Sequence, residues 1–501
     1  MIELTIDYKS EIPLNRQIYL QIREMILTGA VSVGNQLPST REIAKHYEMA
    51  RMTVNVAYEQ LEVEGYVITR HGSGTFVNEN LLLGHVNGNG NGNGHKGSKS
   101  RSSDLPILSD WAKRIKSQAA ETPGRNPSEK GASLEKIDFG FDRSFAHIFP
   151  FDVWRKLLNR YLSTDDAILS RYGSVGGFEP LRQAIATYVT RQRGVNCSPD
   201  QVMIVNGIQQ GIDILARILV NKRDDVLVET PGYTNAFKLF QAYGANLVGV
   251  PVDQNGFDPA KIPGETDAKL VFVTPSNQFP HGGAMPAERR LSLIDWARNN
   301  NALIIEDDYD GELRYKASPI SALQGLDSDD RVIYLGSFSK VLLPALRLGY
   351  VILPPNLVDD FLRTKGLIDR GAPTLTQAAI ADFITEGHFE RHLRALRKIY
   401  AERRATLIHA IQAHLADKVT FADHPAGFHI LLHLNDGVNE ALVIKEAAKA
   451  GVNVYPGRPY HLDANAPATI LLGFCGLEND QIVEGAQRLS IAIKAASPVK
   501  V

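Results

Sequence analysis

Cysteine is nearly absent. Cys197 and Cys475 are the only two in 501 residues, too few for a disulfide framework or a thiolate-rich metal centre, and no metal is expected. No apolar run approaches the roughly 20 residues that span a bilayer. The opening residues, Met1-Ile2-Glu3-Leu4-Thr5-Ile6-Asp7, lack the basic start and apolar core of a secretion signal. These absences predict a cytoplasmic protein with no membrane partner. Excess positive charge is also missing. The formal net charge is −2, and residues 1–80 hold 7 Lys/Arg against 10 Asp/Glu. Any polyanion contact must therefore come from a local basic face and not from bulk charge. The remainder, 44% hydrophobic and 22% charged, is the composition of globular domains, in a chain too long for one of them.

A composition break divides the chain. The run Asn87-Gly88-Asn89-Gly90-Asn91-Gly92-Asn93-Gly94 cannot build a core and tolerates positive φ, so it reads as a tether. The expected organisation is a first domain over 1–79, a linker over 80–104 and a large domain over 105–501, with a smaller lobe from about 385. Lys96, Lys99 and Arg101 are expected to be solvated linker charges, and 119–132 is a second loose stretch.

Before the linker, apolar residues at helical spacing run from Leu14 to Leu27 and stop at Gly29. Ser39 with Glu42 three residues on forms a capping box, opening a helix to about Tyr47. A third helix is predicted from about Met52 to Glu64. The alternation from Tyr66 to Val77 reads as a β-hairpin with Gly72 and Gly74 at its tip. Two short helices and a hairpin in this order read as a winged helix-turn-helix, whose last helix enters the major groove of double-stranded DNA. Arg51, Thr53 and Asn55 are the candidate contacts on that helix, Arg41 a phosphate contact, and Arg70, Gly72 and Gly74 a minor-groove wing. Val54, Val56, Ala57 and Leu61 are expected in the core.

After the linker, short apolar runs alternate with helical stretches. Candidate strands are 202–205, 226–228, 247–250, 270–273, 302–305, 332–335 and 349–353, which predicts an α/β domain with a largely parallel sheet covered on both faces. Ligands in such sheets lie at the carboxyl ends of strands, where Asn206-Gly207-Ile208-Gln209, Glu306-Asp307-Asp308-Tyr309 and Ser337-Phe338-Ser339-Lys340 all fall. Together they offer an amine, a carboxylate, a phenol and hydroxyl groups, with Arg347 close behind. That inventory suits pyridoxal 5'-phosphate (PLP). Lys340 would bond the aldehyde, and Asp307, with Asp308 as competitor, would keep the pyridine nitrogen protonated. Tyr309 would meet the ring oxygen. Ser337, Ser339, Arg347 and the helix after Gln209 would take the phosphate, and Tyr233 would stack on the ring.

The phrases Arg171-Tyr172-Gly173, Val228-Glu229, Pro231-Gly232-Tyr233, Thr274-Pro275-Ser276, Glu306-Asp307-Asp308-Tyr309 and Ser337-Phe338-Ser339-Lys340 resemble fold-type I aminotransferases over about residues 135–490. With Leu37-Pro38-Ser39, Arg41 and Ile43-Ala44 in front, the whole chain resembles the MocR subfamily of GntR regulators. The resemblance implies a fold-type I PLP-transferase-like domain with a small α+β lobe, preceded by a winged helix-turn-helix. It also implies Lys340 as the Schiff-base lysine, a head-to-tail homodimer in which Tyr172 reaches the partner's phosphate, and control of vitamin B6, amine or amino-acid metabolism genes. Two departures stand out. Phe279 precedes Pro280 where the family has Asn, leaving Asn277 or Gln278 to serve the ring oxygen. Leu471 stands where an Arg ordinarily anchors the substrate carboxylate, with Arg458 as a candidate replacement for holding an effector. The expected function is a PLP-responsive DNA-binding regulator that senses PLP or a PLP-amine adduct, with little physiological turnover. The alternatives are an active aminotransferase carrying a DNA head and a PLP-free scaffold dimer.

Overall fold

A computed structural model describes residues 2–81, 108–118, 136–141, 146–163, 170–315, 320–463 and 465–497. From residue 82 onward the expected linker, including Lys96, Lys99 and Arg101, lies outside the described residues, as does 119–132. The chain forms two compact units, Met1–Leu105 and Pro106–Val501.

The first unit contains helices α1 (Leu14–Leu27), α2 (Thr40–His46) and α3 (Arg51–Val63), then strands β1 (Val67–Arg70) and β2 (Gly74–Val77) paired antiparallel. Ser39 Oγ accepts from the Glu42 N–H at 3.2 Å, and the Glu42 carboxylate accepts from the Ser39 N–H at 2.7 Å. The capping box thus satisfies two helix-end donors. Ile18, Ile22 and Ile26, one stripe of α1, meet Val54, Ala57 and Leu61 of α3 in a single core. Val56 departs from its expected burial. It is 38% exposed, beside Met52 at 68%, because residues 52 and 56 share the face opposite the 54–57–61 stripe.

The second unit opens with α4 (Asp110–Gln118), β3 (Ile137–Asp138), α5 (Phe151–Ser163) and α6 (Glu179–Arg193). Then strands and helices alternate: β4 (Val202–Val205), α7 (Ile208–Leu219), β5 (Asp225–Thr230), α8 (Thr234–Tyr243), β6 (Asn246–Pro251), β7 (Leu270–Val273), α9 (Ala287–Asn299), β8 (Leu303–Asp308), β9 (Val332–Ser337) and β10 (Gly349–Ile352). The seven strands form one sheet in the order β4-β10-β9-β8-β7-β5-β6. All pairings are parallel except those of β10, which runs antiparallel to β4 and β9. Val226 and Val228 pack with Phe237 and Phe240 of α8, while Leu227 between them packs with Leu293 and Ala297 of α9. Both faces are covered, which is why these strands read as continuous apolar runs.

Helices α10 (Val358–Ile368), α11 (Thr374–Thr385) and α12 (His388–His414) lead to the smaller lobe: β11 (Val419–Thr420), β12 (His429–Leu434), α13 (Glu440–Lys449), β13 (Val452–Asn453), β14 (Tyr455–Pro456), β15 (Thr469–Gly473) and α14 (Asn479–Ala496). Its antiparallel sheet has the order β11-β12-β15-β14. β13 pairs with β3 from far upstream, so this lobe also takes in residues that precede the large sheet. No described helix is long and apolar enough to cross a membrane.

Candidate functional site

A cavity opens at the carboxyl edge of the large sheet. It is lined by Gly207, Ile208 and Gln209 after β4, Tyr233 after β5, Thr274 and Phe279 after β7, Asp307 and Tyr309 at the end of β8, and Ser337, Ser339 and Lys340 at the end of β9. Arg347 joins them because β10 is antiparallel. Its start lies beside the end of β9, with Gly349 opposite Ser337. Phe141 and Phe428 close the small-lobe side.

Two adjacent carboxylates divide the work. Asp308 points into the core, where its Oδ2 accepts from Arg193 Nε at 2.8 Å and from Tyr334 Oη at 2.5 Å. Arg193 is 1% exposed. Burial is the largest influence and opposes its charge, but Asp308, Tyr334 and Glu312 together outweigh it and hold the guanidinium above its ordinary range. Asp307, on the opposite side of the strand, lines the cavity with Oδ1 buried and without a hydrogen-bond partner. Burial, and then the charges of Asp308, Glu229 and Glu306, push its pKa well above the usual carboxylate range. A buried acceptor left unmatched is costly, and a protonated ring nitrogen would match it. Asp308 Oδ1 is likewise buried without a partner, but only Asp307 lines the cavity, so Asp307 is the acid that a ring nitrogen could meet.

At the other end, α7 starts at Gly207 with no side-chain cap, leaving amide donors and the positive end of the helix dipole directed at the cavity. Gly207 has φ +80°, and a Cβ there would lie 2.8 Å from Arg347 Nη2. The positive φ favours glycine there, and any side chain would push the Arg347 guanidinium aside. Arg347 Nη2 donates to the Asn206 carbonyl at 3.4 Å, and the Ser339 N–H donates to Ser337 Oγ at 3.1 Å. Tyr233, its pKa raised by burial, donates from Oη to Gln209 Oε1 at 3.4 Å, which ties the aromatic plate to the helix start. Lys340 Nζ donates to the Phe141 carbonyl at 2.8 Å and lies 4.5 Å from the Phe428 ring centre. An amine, a matched pair of ends for pyridine and phosphate, and an aromatic plate all fit PLP.

Other expected residues lie elsewhere. Asn277 stands behind Tyr309: its Nδ2 donates to Tyr309 Oη at 3.2 Å and to Asp310 Oδ2 at 2.6 Å, and Tyr309 Oη donates to the Asn277 carbonyl at 2.9 Å. It positions the phenol and does not line the cavity. Gln278 is occupied by Glu229 and the Pro231 carbonyl. Tyr172 is 84% exposed, with the Arg370 guanidinium 5.2 Å over its ring, outside the cavity lining of its own chain. Arg458 is also outside it, in a surface cleft with its Nε 3.9 Å from Glu440 Oε2. Sequence reasoning missed Phe141 and Phe428. Each lies far in sequence from the strand-end motifs, and only the closure of the small lobe brings it in.

In the first unit Arg41 and Arg51 are exposed and Thr53 and Asn55 half-buried. Arg51 Nε donates to Thr40 Oγ1 at 3.3 Å, which links the starts of α2 and α3. Gly72 and Gly74 have φ +79° and +111°. Arg70 is held by Glu79 at 3.2 Å and lies over the Phe76 ring at 5.0 Å.

Comparison with known proteins agrees with both units. Residues 140–489 match the family model for aminotransferase class I and II, and residues 14–77 that for bacterial regulatory proteins of the gntR family. The probable rhizopine catabolism regulatory protein MocR of Rhizobium meliloti is 36% identical over 494 residues, 98% of this chain and 96% of its own. The pyridoxine biosynthesis regulator PdxR of Corynebacterium glutamicum is 30% identical over 93% of each chain. The crystal structure of Pyrococcus horikoshii kynurenine aminotransferase, a complex with PMP, superposes with a TM-score of 0.70 at 28% identity, covering 75% of this chain and 96% of that one. The chain belongs to the MocR subfamily of GntR-type transcriptional regulators. Its larger unit has the fold of the PLP-dependent aminotransferases.

Proposed function

We propose that this regulator holds PLP on Lys340 and reports it, or its encounter with an amine, to DNA. The observation that carries the reading is a cavity furnished for the cofactor in a chain that has Leu471 where a substrate-carboxylate Arg would stand. When bound, PLP supplies an aldehyde and an electron-withdrawing ring. Lys340 binds it, and Asp307 keeps a proton at the pyridine nitrogen. Tyr309, oriented by Asn277, serves the ring oxygen, and Tyr233 stacks on the ring. Gln209, Ser337, Ser339 and Arg347 take the phosphate with the uncapped start of α7.

The working form is a head-to-tail homodimer in the cytoplasm, in which exposed Tyr172 reaches the partner's phosphate. Arg51, Thr53 and Asn55 read the major groove of an operator, Arg41 holds phosphate, and the hairpin with Arg70, Gly72 and Gly74 touches the minor groove. Exposed Met52 and Val56 add an apolar surface suited to thymine methyl groups. Regulation follows if the ligand binds two arrangements of the dimer unequally. The experiment is operator affinity measured at fixed salt with and without PLP, together with a turnover assay using an amino acid and a keto acid. A PLP-dependent change in affinity without sustained turnover supports the reading. Sustained turnover with PLP-indifferent DNA binding replaces it with an aminotransferase that carries a DNA head.

A further inference from the structure

Lys340 and Arg347 are the two cations among the described residues lining the cavity, and the function proposed above, on which this inference rests, commits both to the cofactor. Strand pairing sets Leu471 directly opposite Leu431 and Tyr455, and directly opposed residues share a face. The two-residue period puts His429 on that face as well. Tyr455 and His429 pack on Phe141 of the cavity wall at 5.6 and 6.2 Å between ring centres. Leu471, 0% exposed and not itself a lining residue, shares this face at the sequence position where the resemblance places an Arg for a substrate carboxylate.

His429 is 7% exposed. Its Nε2 lies 2.9 Å from the Pro280 carbonyl oxygen. A carbonyl only accepts, so Nε2 carries the hydrogen and Nδ1 of the neutral ring keeps a lone pair. Nδ1 is buried with no partner, an arrangement that folded proteins rarely leave unmatched. The ring sits 5.3 Å from Phe279 and 5.2 Å from Phe428, both lining residues. Burial, assisted by the charge of Lys340, pushes its pKa down to about 4, so it is a neutral acceptor.

We propose that the site selects a primary amine lacking a carboxylate, received among Phe141, Phe279 and Phe428, with a hydroxyl or amide hydrogen donated to His429 Nδ1. An α-carboxylate entering there would lose its water and, among the described residues lining the cavity, find no cation beyond the two committed to the cofactor.

The test is calorimetric titration of the PLP-loaded full chain with two matched pairs, tyramine against tyrosine and ethanolamine against serine. The members of each pair differ by one carboxylate. The amine of each pair is expected to bind at least about tenfold more tightly than its amino acid, from the unpaired charge alone. Leu471→Arg should reverse that order, and His429→Phe should erase the advantage of tyramine over phenethylamine. Equal or tighter binding of the amino acids by the unaltered protein, or no binding of either amine, overturns the inference while PLP uptake stands. A chain whose absorbance is the same with PLP in the wild type and in Lys340→Ala fails the cofactor reading, and the inference with it. Should His429→Phe not fold, Leu471→Arg and the four ligands still decide the matter.

Discussion

The two sides of the cavity differ in the chemistry they present. The side built by the large sheet carries groups that suit PLP: the Lys340 amine, the Asp307 carboxylate, the Tyr233 phenol, the uncapped start of α7 and the Arg347 guanidinium. The side closed by the smaller lobe presents the rings of Phe141 and Phe428, with the His429 imidazole packed against Phe141 and Leu471 on the same sheet face as His429. One side is furnished for a cofactor, and the described residues lining the other include no cation for an amino acid's carboxylate. The contrast teaches that holding PLP and processing amino acids are separable on this fold, because different secondary-structure elements supply them.

The sharpest way to break the comparison is Lys340→Ala. We expect complete loss of the absorbance band of the bound cofactor, checked spectroscopically after PLP loading and desalting; a retained band would detach the cofactor from this wall. Next in size is Asp308→Asn, which strips the buried Arg193 of its charge partner. It should cost about 3–5 kcal/mol of stability, read by chemical denaturation, whereas Asp307→Asn one residue away should leave the fold intact. Gly207→Ala should weaken PLP binding at least about tenfold, through strain at positive φ and displacement of Arg347, measured by cofactor titration.

Asp307 also sharpens the comparison through pH. Its folded pKa lies above its unfolded value, so its contribution to stability is present below the ordinary carboxyl range, near 3.9, and is lost as pH rises toward the folded value. Melting of the cofactor-free protein should fall over that interval, and Asp307→Asn should flatten the fall. The smallest effect is expected outside the cavity. Arg51→Ala should weaken operator binding and relax its base preference at one position while leaving PLP uptake unchanged, as binding assays on a set of operator variants would reveal.

Much of this was legible in the residues. The capping box at Ser39 and Glu42, the apolar strand runs and the strand-end motifs each carry local chemistry that survives folding. Lys340, Asp307 and Arg347 could be named because the chain returns to one sheet edge after β8 and β9 and reaches it again just before β10. That Asp308 turns into the core was not legible, since it depends on Arg193, more than a hundred residues away. The aromatic wall was hidden for the same reason: Phe141 and Phe428 meet only when the lobe folds back. Val56 was misassigned because three apolar neighbours in four residues conceal which of them lies off the buried stripe.

The unmatched Asp307 oxygen and the uncapped α7 have a consequence for how long the protein lasts. A ligand that matches the Asp307 oxygen and the start of α7 stabilises the native state by mass action. If PLP is that ligand, the cellular lifetime of such a molecule is expected to rise with vitamin supply, so that scarcity would thin the pool of regulators as well as change what each one reports. Thermolysin digestion across a series of PLP concentrations would show this as slower cleavage at each step.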